Sequence, residues 1–364
     1  MRLFSTEQVS KFHPDKYADQ ISDAILDRIL KEDPNARVAV ETLVKGRTVV
    51  VAGEVTASNL SEDNITGIVA WSVHKVADKL KYKVDKIVDL IENQSPEIAN
   101  AVNQADGIGA GDQGLMFEYA TIKSDSLLPW GFDFANRIIS IIEDDVDYNP
   151  HTILKGDAKV QVTVNLDAPS PEASLHTLLI SARHIEYVDT DQLKTYILEL
   201  LEENGIQLDP QVRVLINPAG EWTIGGPEAD AGLTGRKIVC DQYGGFVPVG
   251  GGAFSGKDPS KVDRSASYMA RYLATKAIYK YAEDGLQWIE IQLAYAIGVK
   301  KPVSVIFKSN LKEQEKLQEI NAWINSFDLT PSGIIKYLEL TENPNYERRA
   351  EGCHYYLHVP KDEE

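Results

Sequence analysis

The sequence predicts an α/β fold of the α+β type. Helical patterns alternate along the chain with short strand patterns, and no internal repeat or long flexible linker interrupts them. The 364 residues are enough for two or three domains with proper cores. Hydrophobic residues make up 43% of the chain and charged residues 25%, which is usual for a globular protein.

The first predicted helix spans residues 14–31, where apolar side chains recur at helical spacing. Pro14 suits the first helical position, and Asp33-Pro34 marks the end of the helix. Acidic residues recur in this helix at every fourth position, namely Asp15, Asp19, Asp23 and Asp27. We interpret the last three as a solvated face.

Two strands are predicted next, at residues 38–44 and 48–55. Both of their faces are apolar, which predicts a sheet that is covered on both sides. A two-residue turn at Lys45-Gly46 would place Glu41 opposite Val50, with Glu54 about 14 Å further along the same face. Carboxylates buried in this way each need a cation or a hydrogen-bond donor. An edge position that reaches solvent is the alternative for either glutamate alone.

Apolar and turn patterns predict the remaining elements. Strands are expected near residues 158–165, 175–182, 212–217 and 290–297. Helices are expected near residues 63–79, 132–144, 190–204, 260–281 and 312–326.

The composition argues against several classes of protein. A net charge of −18 disfavours binding to nucleic acid or to an anionic membrane surface. No apolar run is long enough to span a bilayer, and the N-terminus has no signal-peptide pattern, so we expect a cytoplasmic protein. Cys240 and Cys353 form no metal-binding pattern, and we interpret them as reduced thiols.

Two polar segments each have a functional and a structural interpretation. His13-Pro14-Asp15-Lys16 opens the first helix, where amide dipoles favour anions, but a capping histidine and a first-turn aspartate are also common in ordinary helices. The segment GAGDQG at residues 109–114 lets the backbone approach a ligand closely, and a flexible tight turn explains it equally well.

Two further segments are rich in glycine and carry basic residues. Residues 224–237 end in Arg236-Lys237, which suits a polyphosphate. Residues 251–257 satisfy the first part of the Walker pattern, but Asp258 stands where that pattern needs a hydroxyl. Asp258-Pro259 instead predicts a helix N-cap and first helical residue. We therefore reject a P-loop and expect the lysines to reach phosphate as side-chain charges.

Together, these four segments resemble the methionine adenosyltransferases, or S-adenosylmethionine synthetases. GAGDQG and GGGAFSGKDPSKVDR, at residues 250–264, are signature sequences of that family, and the resemblance covers almost the whole chain. It implies that the methionine sulfur attacks C5′ of ATP and expels triphosphate, which is then hydrolysed to phosphate and diphosphate. The alternative is a nucleotide-binding paralogue with altered or lost turnover.

The resemblance also implies site residues and cofactors. Those expected to act on the triphosphate are His13, Lys159, Arg236, Lys237 and Lys257. ATP is expected to contact these five and also Asp157, Trp222, Asp230 and Ala253. Methionine is expected to contact Glu54, Gln94, Asp112, Asp230 and Lys261. Two Mg²⁺ ions are expected at Asp15 and Asp263, and one K⁺ ion at Glu41.

The family fold implies three interleaved domains related by pseudo-threefold symmetry, each a small sheet covered by helices. Their expected bounds are residues 1–11 with 123–225, residues 12–100 with 226–264, and residues 105–122 with 265–364. Residues 95–108 are expected to form a gating loop. The sheets would pack at a dimer interface, and active sites for ATP and L-methionine would lie between the subunits of a homo-oligomer, a dimer or a tetramer.

Some positions depart from the family pattern. Lys11-Phe12 stand where the family usually has Glu-Gly, and Glu221-Trp222 where it has Arg-Phe. Residues 246–249 replace a more polar sequence, and the gating loop is slightly shorter. The expected phosphate and metal positions are intact. A different ATP-using enzyme, such as a ligase or kinase, is disfavoured by the incomplete Walker pattern.

Overall fold

Three sheets of three or four strands organise the chain, and the computed structural model describes residues 1–93, 103–104 and 107–355. The strands are β1 Leu3–Val9, β2 Arg37–Lys45, β3 Thr48–Thr56, β4 Lys86–Glu92, β5 Asn103–Gln104, β6 Gly107–Ile108, β7 Gly114–Thr121, β8 Leu154–Asn165, β9 Leu175–His184, β10 Arg213–Ile216, β11 Gly232–Leu233, β12 Trp288–Tyr295 and β13 Ser304–Ser309. The first sheet has the order β1-β8-β9-β10, the second β11-β2-β3-β4 and the third β13-β12-β7. β5 and β6 pair with each other.

Helices pack on each of the three sheets. They are α1 Pro14–Glu32, α2 Glu62–Lys79, α3 Trp130–Tyr148, α4 Thr190–Glu203, α5 Ile238–Asp241, α6 Val262–Lys280, α7 Gln314–Ile324, α8 Pro331–Tyr337 and α9 Tyr346–Arg349. α3 contacts the first sheet, α1 and α2 the second, and α6 the third. The predicted α/β class, with small sheets covered by helices, is confirmed. Among the helices described here, none combines the length and the hydropathy that a membrane crossing requires.

Each sheet draws its strands from separate stretches of the chain. The first uses residues 3–9 and 154–216, the second residues 37–92 and 232–233, and the third residues 114–121 and 288–309. The domain bounds expected from the family resemblance stay a prediction. The helices and strands predicted from the sequence are all present, with ends moved by up to four residues. The elements that were not predicted are β1, β4, β5, β6, β7, β11 and β13 and the short helices α5, α8 and α9.

Helix α1 forms where the sequence predicts it and is buried along nearly its whole length. His13 is its N-cap and Pro14 its first residue, and at the other end the Asp33 backbone N–H donates to the Ile29 carbonyl. Its isoleucine and leucine side chains, such as Ile21, are buried, and each contributes about 1.5–3 kcal/mol relative to exposure. The helix therefore lies in the core rather than at the surface.

The β2–β3 hairpin has a different register from the predicted one. Lys45 pairs with Thr48, so that Gly46-Arg47 forms the turn and Gly46 takes a φ of 54°. A turn displaced by one residue moves every cross-strand partner by two, and Glu41 therefore lies opposite Ala52 instead of Val50. Glu54 stays on the same face, but only about 7 Å beyond that pair.

The described residues cover one face of the second sheet and leave the other face open. Val38 and Val40 are buried, whereas Glu41 on the opposite face is exposed, with Leu43 40% and Leu90 56% exposed. Within one chain, the described residues therefore do not supply the cover that was predicted for the second face. Exposed apolar side chains on one flat face are typical of a surface that contacts another molecule.

A buried carboxylate lies inside the third sheet. Glu118 of β7 is fully buried and accepts hydrogen bonds from the Tyr243 hydroxyl at 2.8 Å and the Tyr355 hydroxyl at 2.9 Å. Burial raises the pKa of Glu118 from 4.5 to about 8, against the opposing effect of these tyrosines. Glu118 therefore holds a proton in the folded protein at neutral pH.

This proton gives a testable pH dependence of stability. Between about pH 5.5 and pH 7.5 the folded protein keeps the Glu118 proton that the unfolded chain releases, so this group's contribution to stability falls as the pH rises. We expect the difference in unfolding free energy, wild type minus Glu118→Gln, to fall by about 1.4 kcal/mol per pH unit. Urea denaturation at one protein concentration measures it.

Glu290→Gln provides the control, since Glu290 lies on the neighbouring strand β12 and bonds Lys308 at the surface. Its pH profile should run parallel to that of the wild type. Parallel profiles for the wild type and Glu118→Gln would contradict the assignment.

Candidate functional site

The N-terminus of α1 presents a buried histidine. His13 is 3% exposed, and its Nδ1 accepts a hydrogen bond from the Asp15 backbone N–H at 3.1 Å. Because Nδ1 is the acceptor, the proton of the neutral ring sits on Nε2. His13 thus has an N–H donor available at a helix terminus whose dipole favours an anion.

Asp15 lies at the centre of a group of cations. It is 1% exposed, and its carboxylate accepts hydrogen bonds from the Leu233 backbone N–H at 3.0 Å and from Lys237 Nζ at 2.5 Å. Arg236 Nε lies 3.7 Å from the same carboxylate. Burial opposes ionisation of Asp15, but the bonds from Lys237 and Leu233 outweigh it and lower its pKa. The ionised carboxylate therefore joins α1 to the Arg236-Lys237 segment.

His13 stays neutral beside these charges. Burial, together with the nearby Lys237 and Lys159, lowers the pKa of His13 to about 3, against the opposing effect of Asp15 and Asp230. Lys159 reaches this group from the exposed side of β8, opposite Val9. One region of the structure thus brings together the predicted residues His13, Asp15, Lys159, Arg236 and Lys237.

The predicted nucleotide residues Asp157 and Trp222 meet at Gly225-Gly226. Asp157 accepts a hydrogen bond from the Gly226 N–H at 2.7 Å, and its other carboxylate oxygen is buried without a partner among the described residues. Burial raises the pKa of Asp157 to about 6. A side-chain carbon at Gly225 would lie 2.7 Å from Arg183 Cδ and 3.2 Å from Trp222 Nε1. Arg183, which was not predicted from the sequence, therefore lies beside Trp222 and Asp157 at Gly225.

A second lysine–carboxylate pair joins the loop before α6 to the first turn of that helix. Lys257 Nζ donates to Asp263 at 2.6 Å, and the Gly252 backbone N–H donates to the other oxygen at 3.0 Å. The two side chains are 28% and 14% exposed, so a ligand can reach them. In the same loop, Ala253 lies so close to Gly235 that a Cβ added there would come within 2.6 Å. The two loops that hold the predicted phosphate-binding residues are therefore in contact.

Asp258 is not a helix N-cap, contrary to the prediction. Helix α6 begins at Val262, and Lys261 occupies the N-cap position. The Asp258 carboxylate instead accepts from the Val38 N–H at 2.7 Å, from the Ser260 N–H at 2.9 Å and from the Lys261 ammonium. The reason is that the loop runs beside β2, where the Val38 backbone N–H is within reach of the Asp258 carboxylate. Asp258 thus ties the loop to the second sheet.

The aspartates that follow Asp15 on α1 are buried, so the predicted solvated face is wrong. Asp19 accepts a hydrogen bond from the Gly235 N–H at 2.8 Å, and Asp23 accepts one from the Gly256 N–H at 2.8 Å. The two glycine-rich loops therefore donate backbone amides to successive turns of one helix. These amides are bonded to protein carboxylates and are not arranged as a phosphate-binding P-loop.

Asp15, Asp19, Asp23 and Asp27 form an aspartate row along α1, and two other parts of the chain contact its C-terminal members, Asp23 and Asp27. Both oxygens of Asp23 accept from Arg264 Nη2, at 2.9 and 2.7 Å, and both side chains are fully buried. Asp27 accepts from the backbone amides of Tyr346 and Glu347 at 2.8 and 3.0 Å. The spacing of four residues between these aspartates is visible in the sequence, but a solvated helix face has the same spacing, so the sequence alone does not distinguish the two.

Lys16 does not join the cationic group, although it follows Asp15 in the sequence. It is fully buried, with Nζ 2.6 Å from Asp241 and 3.2 Å from Asp19. Asp241 ends α5, the short helix that follows Lys237 directly. Lys16 therefore anchors the far end of the Arg236-Lys237 segment to α1.

The residues predicted for the methionine end are less closely grouped. Asp112 is exposed, but nearby Gly114 lies against the second pair, since an added Cβ would be 3.5 Å from the Asp263 carboxylate. Glu54 is partly exposed and lies opposite Ala39 of β2. Asp230 is exposed and accepts from the Ala231 N–H. Gln94 lies outside the described residues, as does most of the predicted gating loop.

The carboxylates at this site suit Mg²⁺ ions that take most of their contacts from a bound ligand and from water. Within residues 1–93 and 107–355, no three His, Cys, Asp or Glu side chains cluster as a metal cage. Mg²⁺ commonly binds through one or two carboxylates, several waters and substrate phosphates. Asp15 and Asp263 supply such carboxylates, each beside a predicted phosphate-binding lysine. Glu41 offers a single carboxylate on the exposed face of the second sheet.

Three models of the S-adenosylmethionine synthetase family match consecutive parts of the chain. The N-terminal domain model matches residues 1–96, the central domain model residues 107–222 and the C-terminal domain model residues 224–361. Together these matches span nearly the whole chain.

Similar proteins and a similar solved structure agree with these matches. The S-adenosylmethionine synthase of Staphylococcus epidermidis is 40% identical, with 97% of this chain and 92% of that protein covered. The one from Pseudothermotoga lettingae is 42% identical, with 99% and 95% covered. The structure of an unusual S-adenosylmethionine synthetase from Campylobacter jejuni superposes with a TM-score of 0.82 at 33% identity, over 96% of this chain and 94% of that one.

The neutral state of His13 can be tested by NMR of protein labelled with ¹⁵N-histidine. We expect His13 to stay neutral from about pH 5 to pH 9, because burial and the neighbouring lysines disfavour its cation. Lys237→Met should raise the pKa of His13, since it removes one of these lysines and also leaves the Asp15 carboxylate without its ammonium partner.

Lys308→Met, at the surface of β13, is the control and should leave the pKa of His13 unchanged. A wild-type His13 that titrates near its ordinary value would contradict the geometry, and so would a pKa insensitive to Lys237→Met.

Proposed function

The chain belongs to the S-adenosylmethionine synthetase family, and on that premise we propose that it joins ATP to L-methionine by attack of the methionine sulfur on C5′ of ATP. It is an enzyme, a methionine adenosyltransferase, that synthesises S-adenosylmethionine. In the proposed reaction the S–C5′ bond forms as the C5′–O bond breaks, and intact triphosphate leaves. Water then cleaves the triphosphate to phosphate and diphosphate.

The observation that carries this proposal is the gathering of cations around the buried, ionised Asp15. Lys237 bonds its carboxylate and Arg236 lies close by, while Lys159 is near enough to lower the pKa of His13. In a chain of net charge −18, such a cationic group needs a polyanionic partner. The triphosphate leaving group is that partner, and fixed cations stabilise the charge that develops on it.

We assign His13 the role of a neutral hydrogen-bond donor to the departing oxygen. Its Nδ1 is held by the Asp15 backbone N–H, which leaves the Nε2 proton available. With a pKa of about 3, the ring does not change its charge across the neutral range. The donor is therefore in the same state at every pH at which the enzyme would work.

Asp15 and Asp263 would hold the two Mg²⁺ ions of the proposed reaction. When bound, Mg²⁺ neutralises and orients the phosphate oxygens. The lysines bonded to these two carboxylates are Lys237 and Lys257, at 2.5 and 2.6 Å. Each proposed metal ligand thus lies beside a cation that would contact the same phosphates.

Trp222 is the proposed stacking surface for adenine. Its indole Nε1 donates to the Ile224 carbonyl at 2.8 Å, which fixes the plane of the ring. Asp157 would complete the nucleotide site, because its unpartnered oxygen can accept a ribose hydroxyl, and Ala253 and Asp230 would line the pocket. For the methionine end we retain Glu54, Gln94, Asp112, Asp230 and Lys261 as proposed contacts.

We further propose a homo-oligomer with active sites between two subunits. The exposed apolar side chains on the open sheet faces support this arrangement, because contact with a second copy would bury them. They include Leu43 and Leu90 on the second sheet and Leu115 and Ile306 on the third. The interleaved domain bounds and the gating role of residues 95–108 belong to the same proposal.

Product analysis tests the proposed reaction. Incubated with ATP, L-methionine, Mg²⁺ and K⁺, the wild type should form S-adenosylmethionine, phosphate and diphosphate, identified by mass. Asp15→Asn and Lys257→Ala should each lower turnover by at least about 100-fold, because the first removes a proposed Mg²⁺ ligand and the second a cation proposed to act on the triphosphate. Circular dichroism should show unchanged secondary structure in both.

Asp27→Asn is a matched control for Asp15→Asn, since both aspartates are buried on α1 and accept backbone amides. Lys194→Ala, on the exposed side of α4, controls for Lys257→Ala. Near-normal activity of either test variant would count against the assigned roles. Adenylate or ADP as product would indicate another ATP-using enzyme, and ATP binding without turnover would favour the nucleotide-binding paralogue.

Potassium dependence tests the role proposed for Glu41. We expect faster turnover in K⁺ than in Na⁺ at equal ionic strength, and we expect Glu41→Gln to abolish the difference because it removes the proposed carboxylate ligand. Glu62→Gln, at the exposed start of α2, is the control and should keep the difference in turnover between K⁺ and Na⁺. Identical wild-type rates in the two salts would refute this role.

A further inference from the structure

We propose that Asp23 and Arg264 are positioning residues that hold the Gly256-Lys257 segment, and with it the Lys257 ammonium, in place for the triphosphate. This inference rests on the proposed function of Lys257. Neither positioning residue would touch a substrate, because both side chains are fully buried behind the loop.

The pair contacts the loop backbone on both sides of one peptide unit. Asp23 accepts from the Gly256 N–H at 2.8 Å, and Arg264 Nη1 donates to the Lys257 carbonyl at 3.1 Å. The two side chains are joined by bonds of 2.9 and 2.7 Å from Arg264 Nη2. A single ion pair therefore binds both a donor and an acceptor of the segment that carries Lys257.

Strand β2 holds the same segment from the other side. The Gly256 carbonyl accepts from the Val40 N–H at 3.1 Å, and the Asp258 N–H donates to the Val38 carbonyl at 3.0 Å. Gly256 has a φ of 80°, and a Cβ at this position would lie 1.9 Å from the Val40 carbonyl oxygen. Because the backbone is fixed between β2 and the ion pair, the starting point of the Lys257 side chain is fixed as well.

Stability alone does not account for this pair. Removing two charges from water is costly, and buried ion pairs can often be replaced by apolar side chains without loss of stability. Arg264 is also stacked 4.5 Å from the ring centre of Tyr346, so its guanidinium cannot turn to solvent. What the pair supplies beyond stability is its two contacts to the loop backbone, one from Asp23 to the Gly256 N–H and one from Arg264 to the Lys257 carbonyl.

The test is a double-mutant cycle between Asp23→Asn and Lys257→Ala. Both kcat with ATP and the Kd for inorganic tripolyphosphate with Mg²⁺, measured by calorimetry, are compared. Asp23→Asn alone should lower kcat by about 10- to 100-fold, since it breaks the ion pair that holds Arg264 against the Lys257 carbonyl, and a small misplacement of a catalytic charge has this effect. In the Lys257→Ala background it should change either quantity by at most about twofold, because the group that it positions is absent.

Asp27→Asn is the matched control, because Asp27 lies one helical turn further along α1 and bonds backbone amides away from the loop. It should leave kcat within about twofold of the wild type. Equal loss of activity in Asp23→Asn and Asp27→Asn would overturn the proposal. An undiminished effect of Asp23→Asn in the Lys257→Ala background would also overturn it.

If Asp23→Asn does not fold because Arg264 is left unpaired, two double variants replace it. Asp23→Asn/Arg264→Met and Asp23→Ala/Arg264→Met both lack the charges, but only the first keeps an oxygen that can accept from the Gly256 N–H. The first should bind tripolyphosphate more tightly, and equal affinities would contradict the proposal. A wild type that binds tripolyphosphate but forms no S-adenosylmethionine would refute the proposed function, while the binding cycle would still decide the positioning role.

Discussion

The site depends on hydrogen bonds between the carboxylates of one helix face and the backbone amides of two distant loops. Asp15, Asp19 and Asp23 follow one another on α1 at intervals of about 6 Å. The amides that they accept belong to Leu233, Gly235 and Gly256. Carboxylates buried in this way are costly unless they are bonded, so the helix and the loops depend on each other for their stability. The distance between the two loops is consequently set by the pitch of α1.

Contacts of this kind need loops without side chains at the points of approach. A Cβ at Gly232 would lie 1.9 Å from the Pro14 carbonyl oxygen, and one at Gly256 would lie equally close to the Val40 carbonyl oxygen. Glycine lets a backbone approach either a ligand or another part of the protein closely. At these two positions the close neighbour is the protein's own helix or strand. The glycines therefore contribute to the site by letting the loops lie against α1 and β2.

How much of the fold and site was predictable from the sequence depended on whether the deciding interactions are local. The apolar period and Pro14 are local, and α1 was predicted to within one residue of its end. The hairpin register was wrong because glycine suits either of the two adjacent turns, and only the paired strands decide between them. The aspartate row was misread because its partners lie more than 200 residues away in sequence.

The same limit applies to the site residues. Family motifs grouped the residues around Asp15 and the pair Lys257–Asp263, since those segments carry recognisable patterns. They gave no indication of Arg183 or of the anchoring role of Lys16, which depend on what each side chain meets in the folded chain. Most of the predicted gating loop and Gln94 lie outside the described residues, so the roles expected for them stay predictions.

The charge of the whole chain bears on which ligand the site would accept. Long-range repulsion from a protein of net charge −18 works against a bare polyphosphate, although salt screens it beyond about 8 Å. Within that distance the local groups decide, and there each proposed metal carboxylate is bonded to a proposed phosphate-binding lysine. A dication and a polyphosphate presented together satisfy both members of each pair, because the carboxylate gains the metal as the lysine gains the phosphate. Either one alone would leave a carboxylate or an ammonium without its partner. Both the overall acidity and the local pairing therefore favour the metal–nucleotide complex over the bare nucleotide.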